Sequence, residues 1–171
     1  TIFDQDAAIK GVHSIIKDTP LIGCSSIGSI STHGSCIDSV TVFIISSDSI
    51  RFSYGTGRDI SKNPRLAGHN AAKQASNSRH NPKHAYIMLS DSLAGNNADV
   101  LRGAQEVLGT GFPIIGGGAC DKSCFRKTCQ YMDNEIRTDS VVGVLVSGNM
   151  KLGIGKANGW QPIGKSHKVT K

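Results

Sequence analysis

The sequence predicts an α/β fold (α+β mixed), a mixed parallel and antiparallel sheet with packed helices, in a single domain over residues 1–171. Three observations predict it. A strand, a helix and a strand follow one another from Ala85 to Ile115, a crossover that makes the two strands parallel and their connection right-handed. Later hairpins add antiparallel pairs. Finally, the chain uses one unit twice: AIKGVHSIIKDTPLIG from Ala8 is echoed by VLRGAQEVLGTGFPIIG from Val100, and DSVTVFIISS from Asp38 by DSVVGVLVSG from Asp139. Two matches in the same order imply a duplicated β-α-β-β-β-like repeat. The half-repeats cover about 1–60 and 85–160, joined by a helix at about 64–77. The second begins with the strand Ala85 to Leu89 and the first begins directly with a helix, so the first strand of repeat one is expected to be missing from this fragment.

The elements follow in order. Ala7, Ala8, Val12, Ile15 and Ile16 recur at near-helical spacing and predict a helix from about Asp4 to Lys17, stopped by Pro20. Leu21 and Ile22 form a short strand ending at Gly23, beside an unpaired parallel sheet edge, and Cys24 to Gly34 is a small-residue loop. Val40 to Ser46 is β-branched and almost continuously apolar, as a central strand covered on both faces would be. After a turn at Ser47 to Ser49, Ile50, Phe52 and Tyr54 alternate with polar residues and complete a hairpin. Pro64 opens a helix to Asn77 kept slim by Ala67, Ala71, Ala72 and Ala75. Ala85 to Leu89 is a buried strand. Asn96 or Asn97 caps the next helix, whose inward face carries Leu101, Ala104, Val107 and Leu108. Phe112 to Ile115 is a strand running into the loop Gly116 to Asp121, and strands at Val141 to Val146 and Met150 to Ile154 close the second unit.

Composition narrows the function classes. The chain is 38% hydrophobic with 20 glycines, the mark of a globular domain rich in tight turns. No apolar run approaches the roughly 20 residues that a bilayer requires, and there is no signal peptide, so a cytoplasmic location without membrane contact is expected. The net charge of +6 comes from scattered Lys and Arg, densest at Lys165 to Lys171, and the aromatic content of 5% leaves few stacking platforms. Nucleic acid is therefore not expected as a partner. Five cysteines, an odd number, argue for free thiols in a reducing compartment. The spacing of Cys120, Cys124 and Cys129 fits neither zinc knuckles nor cluster motifs, so no metal site is expected.

Several motifs invite chemistry. GWQPIGKS from Gly159 satisfies the phosphate-loop pattern, yet only five residues follow Ser166, too few for the helix that aims amides at a phosphate, and Pro162 removes one amide from the loop. GCSSIGS from Gly23 lacks the final glycine of a nucleophile elbow, where Ile27 stands. Cys24 is nevertheless a thiol at a strand exit whose neighbouring amides could stabilise an oxyanion, and it defines an alternative reading as a thiol-dependent hydrolase or transferase. GGGACD from Gly116 is not the dinucleotide fingerprint, because Asp121 occupies the last position and would repel a pyrophosphate. Its glycines offer close backbone approach and exposed amides. His33 could ligate haem iron, although few aromatics are present to enclose a macrocycle and nothing else supports that cofactor.

Taken in order, GCSSIGSIS, YIMLSDSL, PIIGGGACD and NGWQPIGKSHKVT resemble the N-terminal domain of FIST proteins, the F-box and intracellular signal-transduction family, over nearly the whole chain from Asp6 to Thr170. Ile27, Ser29 and the Cys-bearing insert after Asp121 depart from the family pattern. The resemblance implies a non-enzymatic sensory domain that binds a small molecule, with amino acids as the ligand class, ahead of a C-terminal FIST domain and a signalling output module. It also keeps a haem or nitric oxide sensor and a protein-interaction module open as alternatives.

Ligands of open parallel sheets collect beyond the C-terminal ends of the strands. This rule selects Gly23, Cys24, Ser25, Ser26, Asp91, Ser92, Gly117, Gly118, Cys120 and Asp121 as ligand-binding residues. Ser25, Ser26, Gly117 and Gly118 would take a carboxylate, and Asp91 or Asp121 an ammonium. No catalytic residue is assigned outside the Cys24 alternative.

Overall fold

The computed structural model describes residues 3–122, 124–168 and 170. Val169 of the NGWQPIGKSHKVT block and Lys171 of the basic tail lie outside the described residues. The first element is α1 (Gln5–Ile16), whose N-terminal amides at Asp6 and Ala7 are taken up by the Asp4 carboxylate. There follow β1 (Ile22–Cys24), β2 (Gly28–Ser31), β3 (Gly34–Ile37), β4 (Ile50–Arg58) and α2 (Pro64–Ser76). The second half contains β5 (Lys83–Asp91), α3 (Asn97–Leu108), β6 (Ile114–Ala119), β7 (Gln130–Met132), β8 (Glu135–Arg137) and β9 (Ser140–Gly148).

The principal sheet is mixed, in the order β4-β9-β5-β6. β5 and β6 are parallel, with α3 as their crossover, as the strand-helix-strand run requires. β9 lies antiparallel between β4 and β5, and its buried face on both sides explains its unbroken apolar sequence. α2 and α3 cover one face. Ala71 and Val100 pack there with Ile60 and Val141, and Ala72, Ala75 and Ala104 pack with Tyr86 and Leu145. The approach of α2 depends on absent side chains: a Cβ on Gly57 would lie 1.9 Å from the Ala67 carbonyl oxygen, and one on Gly55 would lie 2.2 Å from that of Ala71. The opposite face, carrying Phe52, Tyr54, Ile87, Leu89 and Val144, looks toward α1.

Five sequence expectations are corrected. Residues 38–49 and 149–163 carry no strand, although both were expected to hold one. Apolar character makes a segment fit for a sheet, but a strand exists only where neighbours supply its hydrogen bonds, and here β4 and β5 already occupy both edges of β9. The loop expected at Cys24 to Gly34 instead contains β2, paired with β3 around a two-residue turn at Thr32 and His33. The run expected as a loop from Gly116 is strand as far as Ala119, because ladder bonds to β5 need only backbone; a Cβ on Gly116 would lie 1.8 Å from the Met88 carbonyl oxygen. Finally, β1 does not join the parallel edge. It pairs antiparallel with β7, which pairs in turn with β8, in a separate three-stranded sheet.

Candidate functional site

Despite that correction, the exits of β1 and β6 meet. Ser25 has its N–H on the Cys129 carbonyl (2.9 Å), its hydroxyl oxygen accepting the Cys129 N–H (3.0 Å) and its carbonyl accepting the Cys120 N–H (2.9 Å). The buried Ser25 thus ties together the ends of β1 and β6 and the approach to β7. The Ser92 hydroxyl, just past β5, donates to the Ala119 carbonyl and brings the third exit alongside. Cys120 donates its thiol to the Gly118 carbonyl at 3.6 Å, and the Ser26 hydroxyl donates to the Gly28 carbonyl at 2.9 Å.

The two acids of this region are both buried and both already hold backbone donors. One oxygen of Asp91 accepts from the Leu93 and Ala94 amides (2.8 and 3.2 Å) and the other from the Asp139 amide (2.9 Å). Asp121 accepts from the amides of Phe125 (2.9 Å), Arg126 (2.6 Å) and Lys127 (3.0 Å). The Arg126 and Lys127 amides stabilise the charged form most and hold the Asp121 carboxyl below the usual aspartate value. With three donors on about four lone-pair positions, each carboxylate keeps room for about one more.

Gly23, Cys24, Ser25 and Ser26 line a cavity of about 790 Å³ enclosed by α1, β1, residues 38–45 and the open face of the principal sheet. Its walls are largely aliphatic, from Ile9, Val12 and Ile16 on the helix to Ile87, Leu89 and Val144 on the sheet. Its polar lining includes Ser25, Ser26, Ser29, Ser39 and Thr41, the ion-paired Asp38 and Lys122, and Gln5, Thr19, Tyr54 and Tyr131. The Thr41 hydroxyl donates to the Ser29 hydroxyl oxygen at 2.6 Å, which holds this part of residues 38–45 to β2. Asp91 instead lines a smaller cavity of about 420 Å³ with Arg126, Lys127 and Thr128. Gly117, Gly118, Cys120 and Asp121 line neither cavity. The sequence-selected set is therefore one hydrogen-bonded region whose members face different spaces.

The larger cavity escaped the sequence reading, although its signals were there: the α1 stripe at Ala8, Val12, Ile15 and Ile16, and the alternation of Phe52 and Tyr54. Which face of a sheet a distant helix covers is a non-local fact that spacing alone does not carry.

Burial, and after it the neighbouring Cys120, pushes the Cys24 thiol up to about 11, which disfavours the thiolate a nucleophile needs. The nearby Tyr131 is also raised, chiefly by burial and then by Cys129 and Cys24. Three of the histidines that could serve as a base stand elsewhere: His84 bonds the Gly148 carbonyl at 2.6 Å, His69 faces Glu106, and His33 sits in the exposed β2–β3 turn. Residues 159–168 form no helix, so GWQPIGKS lacks the amide cluster a phosphate loop presents. Among the described residues no helix is long and apolar enough to cross a membrane.

The family model of the FIST N domain matches residues 1–171, the whole length of the chain. No curated protein sequence matches it.

Proposed function

The chain belongs to the FIST N domain family, a family of sensory domains in signal transduction, and on that premise we propose that it binds a small amino acid with an apolar side chain in the cavity beneath α1. The observation that carries this reading is the cavity's make-up. A volume of about 790 Å³ lies within the range of small-molecule sites, and its aliphatic walls suit an apolar side chain. The Asp38–Lys122 pair at its wall supplies the two charges that a zwitterion needs, with Lys122 for the carboxylate and Asp38 for the ammonium. The hydroxyls of Ser26, Ser39 and Thr41 complete the polar contacts. In this reading Asp91 and Asp121 hold the loops that frame the site rather than the ligand, since each carboxylate already accepts three amides. The domain acts in the cytoplasm as the input of a larger protein, ahead of a C-terminal FIST domain and an output module.

Thermal unfolding against a panel of the twenty amino acids tests this. A ligand at a hundredfold excess over its dissociation constant adds about 2.7 kcal/mol of stability. Stabilisation should be confined to apolar amino acids with both termini free, and Asp38→Asn and Lys122→Met should each weaken it without unfolding the domain. If no amino acid shifts the transition, or if N-acetylated and amidated forms shift it equally, the reading is wrong.

A further inference from the structure

We infer that Tyr131 is a positioning residue for the cavity: from the β1–β7 pair it holds the first turn of α1 through Gln5, and release of that bond lets α1 swing on residues 17–20 and opens the space beneath it. The inference goes beyond the amino-acid reading, and its test needs no ligand.

α1 is the weakly held wall. Of its twelve residues only Ile9 is buried, whereas α2 buries five. Its apolar face, with Ala8, Val12 and Ile16, lines the cavity and is half-buried, and Ile15 beside it is 80% exposed. Elements with few buried apolar contacts open at a lower free energy than the core. The two ends of the helix are fixed differently. At its C-terminal end the chain leaves α1 at Lys17 (φ 52°), crosses the exposed residues 17–20 and is pinned at Leu21. The Leu21 N–H donates to the Asp133 carboxylate (3.1 Å), and its carbonyl accepts the Asp133 N–H (2.8 Å). A short exposed segment between a helix and a fixed point is where a change in backbone angles is absorbed most readily.

At the other end stands Tyr131. Its hydroxyl donates to Oε1 of Gln5, the first residue of the helix. The Gln5 amide nitrogen donates in turn to the Phe3 carbonyl at 2.9 Å, so both polar atoms of that amide are engaged. The base of the phenol is rigid, because Tyr131 stands opposite Gly23 in the β1–β7 register and opposite Ile136 in the β7–β8 register. Gly23 leaves room for the ring: a Cβ there would lie 3.0 Å from Tyr131 Cδ2 and 3.9 Å from its Cε2. Burial first, and then Cys129 and Cys24, raise the phenol, so the hydroxyl keeps the proton it donates. Tyr131, Gly23 and Gln5 all line the cavity, and the hydroxyl-to-amide bond therefore bridges its walls between β1 and α1.

Cys24 is a built-in reporter of that bridge. It lines the cavity, whereas Cys129 is buried without lining it and Cys124 is exposed. Opening of α1 uncovers the first and leaves the other two as they are. Iodoacetamide labelling of the whole 171-residue chain, read site by site by peptide mapping, follows it. Tyr131→Phe keeps the ring over Gly23 and removes only the donor, and it should speed labelling of Cys24 about three- to tenfold, the population shift that one hydrogen bond supports. The gain should be the same factor at every pH, since opening changes access and not the thiol's affinity for its proton. Gln5→Leu should give the same gain, and the double variant no more than either alone, because both substitutions remove one bond. An unchanged Cys24 rate in Tyr131→Phe, an equal gain at Cys129, a gain confined to one range of pH, or gains that multiply in the double variant would each overturn the inference.

Discussion

Replacing Asp91 separates an anchor from a ligand contact. The residue is only 4% exposed and its carboxylate takes three backbone amides: Leu93 and Ala94 in the turn after β5, and Asp139 at the start of β9. Asp139 is in turn held by its own carboxylate, which accepts from the Ser61 amide (2.7 Å) and hydroxyl (2.6 Å), so Asp91 organises a joint between β5, β9 and the segment before α2. A hydrogen bond to a charged group contributes about 1.5–3 kcal/mol. Three would sum to more than the joint can lose, because water reaches the part-buried Leu93 and Ala94 amides once the side chain is gone. We expect Asp91→Ala to cost about 3–4 kcal/mol, most of it at Asp139. For a chain of this length that lowers the melting temperature by about 10 °C. Asp91→Asn keeps one carbonyl acceptor and turns a donor toward the remaining amide, and should cost about 2 kcal/mol. Urea unfolding at neutral pH gives both numbers. A loss below about 1 kcal/mol for Asp91→Ala, or an Asn variant no better than the Ala variant, would refute the anchoring argument. The Asn variant, still folded, then answers the functional question by calorimetry. An anchor leaves ligand affinity nearly unchanged, whereas the loss of a buried ammonium's partner costs roughly 2–5 kcal/mol of binding.

Two further outcomes follow from the shifted groups. The Asp121 carboxyl is held low in the folded chain, first by the Arg126 amide and then by Lys127, so the folded state binds that proton less readily than the unfolded state. Its stabilisation is present above the unfolded aspartate value and is lost as the pH falls through the folded one. Urea midpoints measured downward from pH 6 should therefore drop less steeply below pH 4 in Asp121→Asn than in the parent, and parallel curves would contradict this. With its thiol raised to about 11, Cys24 is thiolate to only about one part in ten thousand at pH 7. Peptide mapping after iodoacetamide should show Cys24 labelled far more slowly than the exposed Cys124 at neutral pH, with a rate rising about tenfold per pH unit. Labelling of Cys24 as fast as Cys124 at pH 7 would restore the nucleophile reading.

What could be read in the sequence was what is decided locally. Among the described residues the three helices begin where their caps stand, at Asp4, Asn63 and Asn96, and each side-chain oxygen accepts an amide of the first turn. The crossover from β5 to β6 was legible because two apolar runs flanking a helix have one favoured arrangement. Where the sequence misled, the deciding fact lay elsewhere in the chain. Val40 to Ser46 and Val141 to Val146 are nearly interchangeable as strings, yet only the second has ladder partners on both sides in the structure. Glycines 116 to 118 read as a turn because glycine weakens an isolated strand, but pairing with Met88, Leu89 and Ser90 keeps them extended. The strand-exit rule found Ser25, Ser92 and Cys120, which do meet. It missed the space under α1, which is bounded by that helix on one side and by residues of β4, β5 and β9 on another.

The arrangement also suggests how occupancy of that space would reach the rest of the domain. Ser25 lines the cavity and is bonded on its backbone and hydroxyl to Cys120 and Cys129. Next to Cys129, the fully buried Gln130 accepts the Ser140 hydroxyl at 2.9 Å where β9 begins, beside the Asp139 amide held by Asp91. A chain of contacts is not in itself a signal, since coupling requires an element with two arrangements that the ligand favours unequally. On the proposed reading, the segment at 38–47 is the element a ligand would bias. It forms a wall of the cavity, carries strand sequence without strand bonds, and joins directly to β4, the outer partner of β9. In that reading, a ligand that packs against Val40, Val42 and Ile44 would favour the arrangement in which those side chains are buried. The ligand contact and the element it biases then belong, on the proposed reading, to one segment, and Val42→Ala should weaken ligand binding while β4 and β9 stay paired.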